Sequence, residues 1–227
     1  AARLGLPGIP AAAELIMAER DLTLAEITRG RLLMDMISSA QTLGPLKRAK
    51  DRGVNVRATV SVHHLVFNEN DVDGYRTFAK LSPPLRAEED RAALAQAVCE
   101  GLIDVIVSGH DPRPAEDKRL PFEEAAFGAI GLETLLPGAL SLHHKGQAPL
   151  PALIRAMTLR PAEILGLPQG RLAKGAPADL VLADLGAPLR LDSDKLKSKS
   201  NNSPFDKSLL QGQVRRTFIG GRQANPA

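Results

Sequence analysis

One cysteine, no tryptophan, one tyrosine and no long apolar run mark this 227-residue sequence. A lone Cys99 excludes a disulfide framework and any zinc site built from cysteines. No apolar stretch is long enough to span a bilayer and no leader-like segment opens the chain, so no membrane partner and a cytoplasmic location are expected. Charge of one sign is also lacking: 29 Lys and Arg stand against 26 Asp and Glu, interleaved along the chain, for a net +3. That balance gives no electrostatic case for nucleic acid. The first residues are Ala1-Ala2-Arg3, as expected of an excerpt or a truncated product. What is present is an apolar fraction of 44% resting on Ala, Leu, Ile and Val. The length suits one large domain, or a medium one with a small one, and can bury a sizeable core.

The pattern along the chain predicts a helix from Pro10 to about Arg29, with Leu15, Ile16, Leu22, Leu24 and Ile27 as its apolar face. A strand is predicted at Leu32–Ile37, a helix at Ser38–Gly53 and a strand at Val54–Val62. Asn68 to Gly74 reads as a polar loop; it lacks the ligand spacing and terminal Glu of a calcium loop. Ala87–Glu100 reads as an amphipathic helix stopped by Gly101, followed by a strand at Ile103–Ser108. Phe122–Leu142 is predicted helical, and Leu150–Leu165 as one or two helices broken at Pro161. This strand–helix alternation is that of a parallel sheet or barrel. After Gly166 the pattern changes to short strand candidates at Gly170–Leu172, Ala178–Leu185, Leu189–Leu191 and Gln213–Ile219, with Lys195–Pro204 as a polar loop. Three βα units are too few for a closed (β/α)8 barrel.

The chemistry gathers at a strand end, Ser108-Gly109-His110-Asp111-Pro112. Polar groups at the carboxyl end of a buried parallel strand are where barrel enzymes keep their sites. The central Gly109 can ligate nothing. His110 reads as a packed strand-end histidine or a displaced ligand; Asp111 reaches the same point only with a backbone change. His63-His64, read on a strand, point to opposite faces and do not chelate one ion together. His143-His144-Lys145 suit the C-terminus of a helix.

An ordered set of segments resembles dihydroorotases of the amidohydrolase superfamily. It runs through Leu4-Gly5-Leu6-Pro7-Gly8-Ile9-Pro10, Ser61-Val62-His63-His64, Lys80-Leu81-Ser82-Pro83-Pro84-Leu85-Arg86 and Pro121-Phe122-Glu123-Glu124-Ala125. It continues through Gly128-Ala129-Ile130-Gly131, Arg160-Pro161-Ala162-Glu163-Ile164-Leu165, Pro177-Ala178-Asp179-Leu180-Val181 and Asn201-Asn202-Ser203-Pro204-Phe205-Asp206. The resemblance implies an α/β chain holding the last βα units of a TIM-type metal-dependent hydrolase barrel (1–165) and a small C-terminal β module (166–227). It implies reversible hydrolysis of the cyclic amide of dihydroorotate to N-carbamoyl-aspartate, with zinc as cofactor and a small-molecule substrate. It places Ser82, Arg86, Phe127 and Gly128 against substrate. It also marks two vacated slots: the last-strand Asp that binds metal and carries the proton falls on Gly109, and a middle-strand His falls on Met36. A thioether is a poor zinc ligand beside oxygen and nitrogen donors. The chain is therefore expected to bind no zinc and to be catalytically impaired. The alternatives are a non-catalytic assembly partner of aspartate transcarbamoylase, a homo-oligomer, or a non-functional partial product.

Overall fold

The computed structural model describes residues 1–224. Helix α1 (Ala11–Thr28) starts after the extended Pro10 and stops where Arg29 turns left-handed. It buries Ala18, Leu22 and Ala25. Strand β1 (Leu32–Met34) then leads through a short turn into α2 (Leu43–Asp51) and β2 (Val56–Ser61). The second crossover runs through α3 (Val62–Val66) and α4 (Glu88–Cys99) to β3 (Val105–Val107). The three strands form one parallel sheet in the order β1-β2-β3, with Leu32 opposite Val56 and Thr59 opposite Val105. Parallel strands need helical crossovers, and the helices bury the sheet's outer face. Val56, Ala58 and Val60 on that face pack with Leu46, Leu94, Ile103 and Leu153 in the main core. An ion pair to a buried carboxylate ties its base: Lys50 Nζ donates to Asp104 at 2.7 Å, and the same carboxylate accepts the Ala58 amide at 2.9 Å.

The rest is α5 (Ala115–Lys118), α6 (Leu135–His144), α7 (Leu150–Met157), α8 (Leu159–Leu165) and an antiparallel sheet β4-β5-β6. Its strands are β4 (Leu180–Arg190), β5 (Leu209–Ile219) and β6 (Arg222–Ala224). The two predicted strands at Ala178–Leu185 and Leu189–Leu191 are one strand, irregular in register between Asp184 and Pro188.

Four expectations are corrected. Phe122–Leu142 is helical only from Leu135, because the backbone before it makes tertiary bonds instead. Gly128 N–H donates to the Lys80 carbonyl and Ile130 N–H to that of Asn202. The break in the 150–165 helix falls at Thr158, at φ −128° and ψ −71°, while Pro161 sits in the first turn of α8, where its missing N–H costs nothing. Gly170–Leu172 is a turn without a strand partner, its φ of 83° at Gly170 letting the backbone close on Thr158. His63 and His64 lie on the short helix α3 and not on a strand, so their side chains do not alternate between faces.

Candidate functional site

All three parallel strands deliver their carboxyl ends to one cavity of about 350 Å³. After β1 come Asp35 and Met36; after β2 come Ser61, His63 and His64; after β3 come Gly109, His110 and Asp111. Ser82 and Gly128 complete it from loops. Sequence reasoning missed Asp35. Its position directly after a strand is the signal that marks it, and Thr59 fixes it: the Thr59 hydroxyl donates to Asp35 at 2.6 Å and accepts the Met36 N–H at 2.8 Å.

The two histidines are buried and engaged. His64 Nε2–H donates to the Pro83 carbonyl at 3.0 Å, which leaves Nδ1 to accept the Ser61 hydroxyl at 2.9 Å. His63 Nε2–H points at the Ile130 carbonyl, 3.3 Å away, and its ring stands 5.8 Å from that of Phe205. Burial pushes His63 down to about 3, with His64 and His110 adding smaller contributions. Burial also lowers His64. Both rings are neutral at pH 7.

His110 Nδ1 accepts the Gly131 amide at 3.2 Å, and the residue bridges to Ala129 as a fragment of parallel strand. Asp111 is paired with Arg113 at 2.9 Å, and Arg113 Nε also donates to the Phe127 carbonyl at 2.9 Å. The Gly128 carbonyl is held from two sides, by Lys118 Nζ at 2.9 Å and by Asn202 Nδ2 at 3.1 Å. Burial, then Lys80 and Arg113, push the Lys118 ammonium down to about 8. Lys118 sits in a charged run that reads as solvated surface, so nothing in the sequence pattern betrays its burial.

Arg86 and Phe127 lie outside this cavity, in a neighbouring groove. Arg86 donates to the Ile9 carbonyl and to Ser38 Oγ, holding the opening loop against the start of the α2 turn. Phe127 lies beneath Lys80, whose Nζ is 4.6 Å from the ring centroid. Ser82 and Gly128 are the two resemblance-derived substrate positions that the structure brings together.

Residues 13–224 match the amidohydrolase family. The chain belongs to that family. It is 41% identical over 220 residues to the dihydroorotase of Wolbachia sp. subsp. Drosophila simulans, covering 96% of this chain and 50% of that one. It is 41% identical over 224 residues to the dihydroorotase of Anaeromyxobacter dehalogenans strain 2CP-1, covering 98% and 52%. Among solved structures it superposes on the L-hydantoinase of Arthrobacter aurescens with a TM-score of 0.90 at 29% identity, over 94% of this chain and 49% of that one. The chain thus spans about half the length of the relatives it matches.

The amidohydrolase family is metal-dependent, and the residues gathered here do not fit a metal. Gly109 has φ +57°, and a Cβ there would stand 2.9 Å from Ser61 Cβ and 3.2 Å from His63 Nδ1. Met36, at φ 51°, offers a thioether. Asp111 is bound to Arg113, and Nδ1 of His110 accepts a hydrogen bond from the Gly131 N–H. Among the described residues, no three His, Cys, Asp or Glu side chains group to hold an ion.

Proposed function

We propose that this chain is the last-strands portion of a dihydroorotase-like amidohydrolase, keeping the pocket of the fold and having lost its metal side. In the family reaction the cyclic amide of dihydroorotate opens reversibly to N-carbamoyl-aspartate. The observation that carries the proposal is Gly109. It follows β3 into the cavity, where the resemblance expects a carboxylate to hold metal and move a proton, and a Cβ on its left-handed backbone would press on Ser61 Cβ at 2.9 Å.

The chain's own residues then bind and do not hydrolyse. Ser82 offers a hydroxyl to a cyclic amide, directly or through water, and Gly128 lets a flat ring approach its backbone. The neutral His63 and His64 close the floor, and their protons are already given to carbonyls. The carboxylates that line the cavity, Asp35 and Asp111, are engaged by Thr59 and Arg113. In this reading residues 1–165 belong to the barrel and 166–227 to the β module, residues 225–227 lying outside the described residues; no zinc is held, and the protein is a cytoplasmic pseudoenzyme with a small molecule as its ligand. The alternative role as an assembly partner of aspartate transcarbamoylase rests on the same lost ligands together with the apolar side chains left exposed on α1.

The test is the double variant Met36→His with Gly109→Asp, assayed beside the parent for zinc content and for dihydroorotate turnover. Neither protein is expected to hold stoichiometric zinc or to turn over substrate. Measurable turnover by the double variant would show that the pocket accepts its metal side back and would overturn the reading.

A further inference from the structure

Two backbone carbonyls fix the hydrogens of two buried histidines, and through them the polarity of one corner of the cavity. A carbonyl oxygen only accepts, so the ring nitrogen that faces it carries the hydrogen. His63 Nε2 stands 3.3 Å from the Ile130 carbonyl, and His64 Nε2 stands 3.0 Å from that of Pro83. Burial keeps both rings neutral at pH 7. A neutral ring has one N–H, so Nδ1 of each is a bare lone pair. His64 Nδ1 accepts the Ser61 hydroxyl at 2.9 Å, which takes up the only hydrogen on Ser61 Oγ. Toward everything else Ser61 Oγ presents lone pairs. His63 Nδ1 has no hydrogen-bond partner among the described residues. Both acceptors lie beside Gly109: His63 Nδ1 is 3.2 Å and Ser61 Oγ 3.3 Å from the point where a Gly109 Cβ would stand. Ser61 and His63 are each 1% exposed, and with Gly109 they line the cavity. The niche is thus built inside this chain.

We propose that this niche is a subsite that selects a hydrogen-bond donor: Ser61 Oγ and His63 Nδ1 take a ring N–H of the ligand, which lies against the bare Cα of Gly109. The proposal rests on the reading that the cavity binds a cyclic amide, and it names the edge of the ring that enters. Two lone pairs without a hydrogen attract an N–H and repel a ring oxygen, a carbonyl oxygen or a carboxylate. A buried acceptor left unmet also carries the full cost of its lost hydration. The rest of the lining agrees in sign, with the carboxylates of Asp35 and Asp111 and, among the described residues, no Lys or Arg. His110 differs. Its Nδ1 accepts the Gly131 N–H, so its hydrogen is on Nε2, a donor for the carbonyl that adjoins an amide nitrogen. Gly109 is then more than a vacated slot. A methyl group there would meet Ser61 Cβ at 2.9 Å and close the approach to both lone pairs. The ligand class is a cyclic amide or ureide with an unsubstituted ring nitrogen; a lactone of the same shape is rejected.

The experiment titrates the full chain, its histidine ring nitrogens isotope-labelled, with δ-valerolactam and with δ-valerolactone, and follows both affinity and ring resonances by NMR. The two probes differ only in an N–H replaced by an oxygen. Before any ligand is added, Nδ1 of His63 and of His64 should both resonate as bare nitrogens. The lactam should bind at least about tenfold more tightly than the lactone. On binding, the His63 Nδ1 resonance should move toward that of a hydrogen-bonded nitrogen, while that of His64, already bonded to Ser61, stays in place. Ser61→Ala removes one of the two acceptors and should reduce the preference for the lactam at least about threefold. A hydrogen found on His63 Nδ1, equal affinity for the two probes, or a preference indifferent to Ser61→Ala overturns the inference and leaves the cavity reading standing. Binding of neither probe contradicts the cavity reading itself and the inference with it. The parent's own His63 resonance decides the matter should Ser61→Ala not fold.

Discussion

Gly109 shows how much one missing side chain fixes. Its left-handed backbone is nearly free for glycine and costs a residue with a Cβ about 1–2 kcal/mol. The close approach to Ser61 adds to that cost. Gly109→Asp should therefore lower stability by about 1–3 kcal/mol in chemical denaturation; a variant as stable as the parent would mean the loop reshapes to admit the carboxylate. His63 makes the opposite kind of statement. Its folded value of about 3 lies below the ordinary 6.5, so between those two values the unfolded chain binds the extra proton. Stability is then complete above pH 6.5 and is lost as pH falls toward 3, on the order of 4 kcal/mol over the window. His63→Phe keeps the packing against Phe205 and should flatten that slope, leaving the contribution of His64, which burial also lowers. Urea midpoints from pH 7 to pH 4 measure it, and equal slopes in parent and variant would contradict the assignment.

At the scale of elements, the parallel strands and their crossover helices were legible because each signal was local. β-branched runs at 56–61 and 103–108 and the capped helix at 87–100 carry their own periodicity. The segment 122–134 was not, since its backbone bonds go to Lys80, Asn202 and Lys118, which lie far away in sequence or are hidden in a charged run. The loop 195–204 looked polar and hence solvated, yet Asn202, Ser203 and Pro204 are buried. It carries the chain to Phe205, which enters the core beside His63 and Phe67 with a ring separation of 4.6 Å from the latter. Of the site, Gly109, His110, Asp111, Ser82 and Gly128 were placed by motif and strand-end logic. Asp35 was missed because it lies inside a predicted strand, and Arg86 was drawn toward the substrate although its guanidinium serves the Ile9 loop. The anchoring role of the trailing loop has a direct consequence. Phe205→Ala should cost about 3–5 kcal/mol, as for a large aromatic removed from a packed core. A loss below about 1 kcal/mol in thermal or urea unfolding would show that the loop merely rests on the barrel.

The described residues form a sheet of three parallel strands with its crossover helices, and an antiparallel sheet set against α6. The strand ends still meet at one cavity, as the amidohydrolase fold requires, but the groups they bring are Met36, two committed histidines and Gly109. On the function proposed above, this cavity keeps the shape of the fold without its metal chemistry. Titration of the purified chain with zinc, followed by calorimetry and by metal analysis after gel filtration, decides it. No stoichiometric zinc on the chain and no zinc-dependent turnover of dihydroorotate are expected. One tightly held zinc per chain, accompanied by turnover, would contradict it.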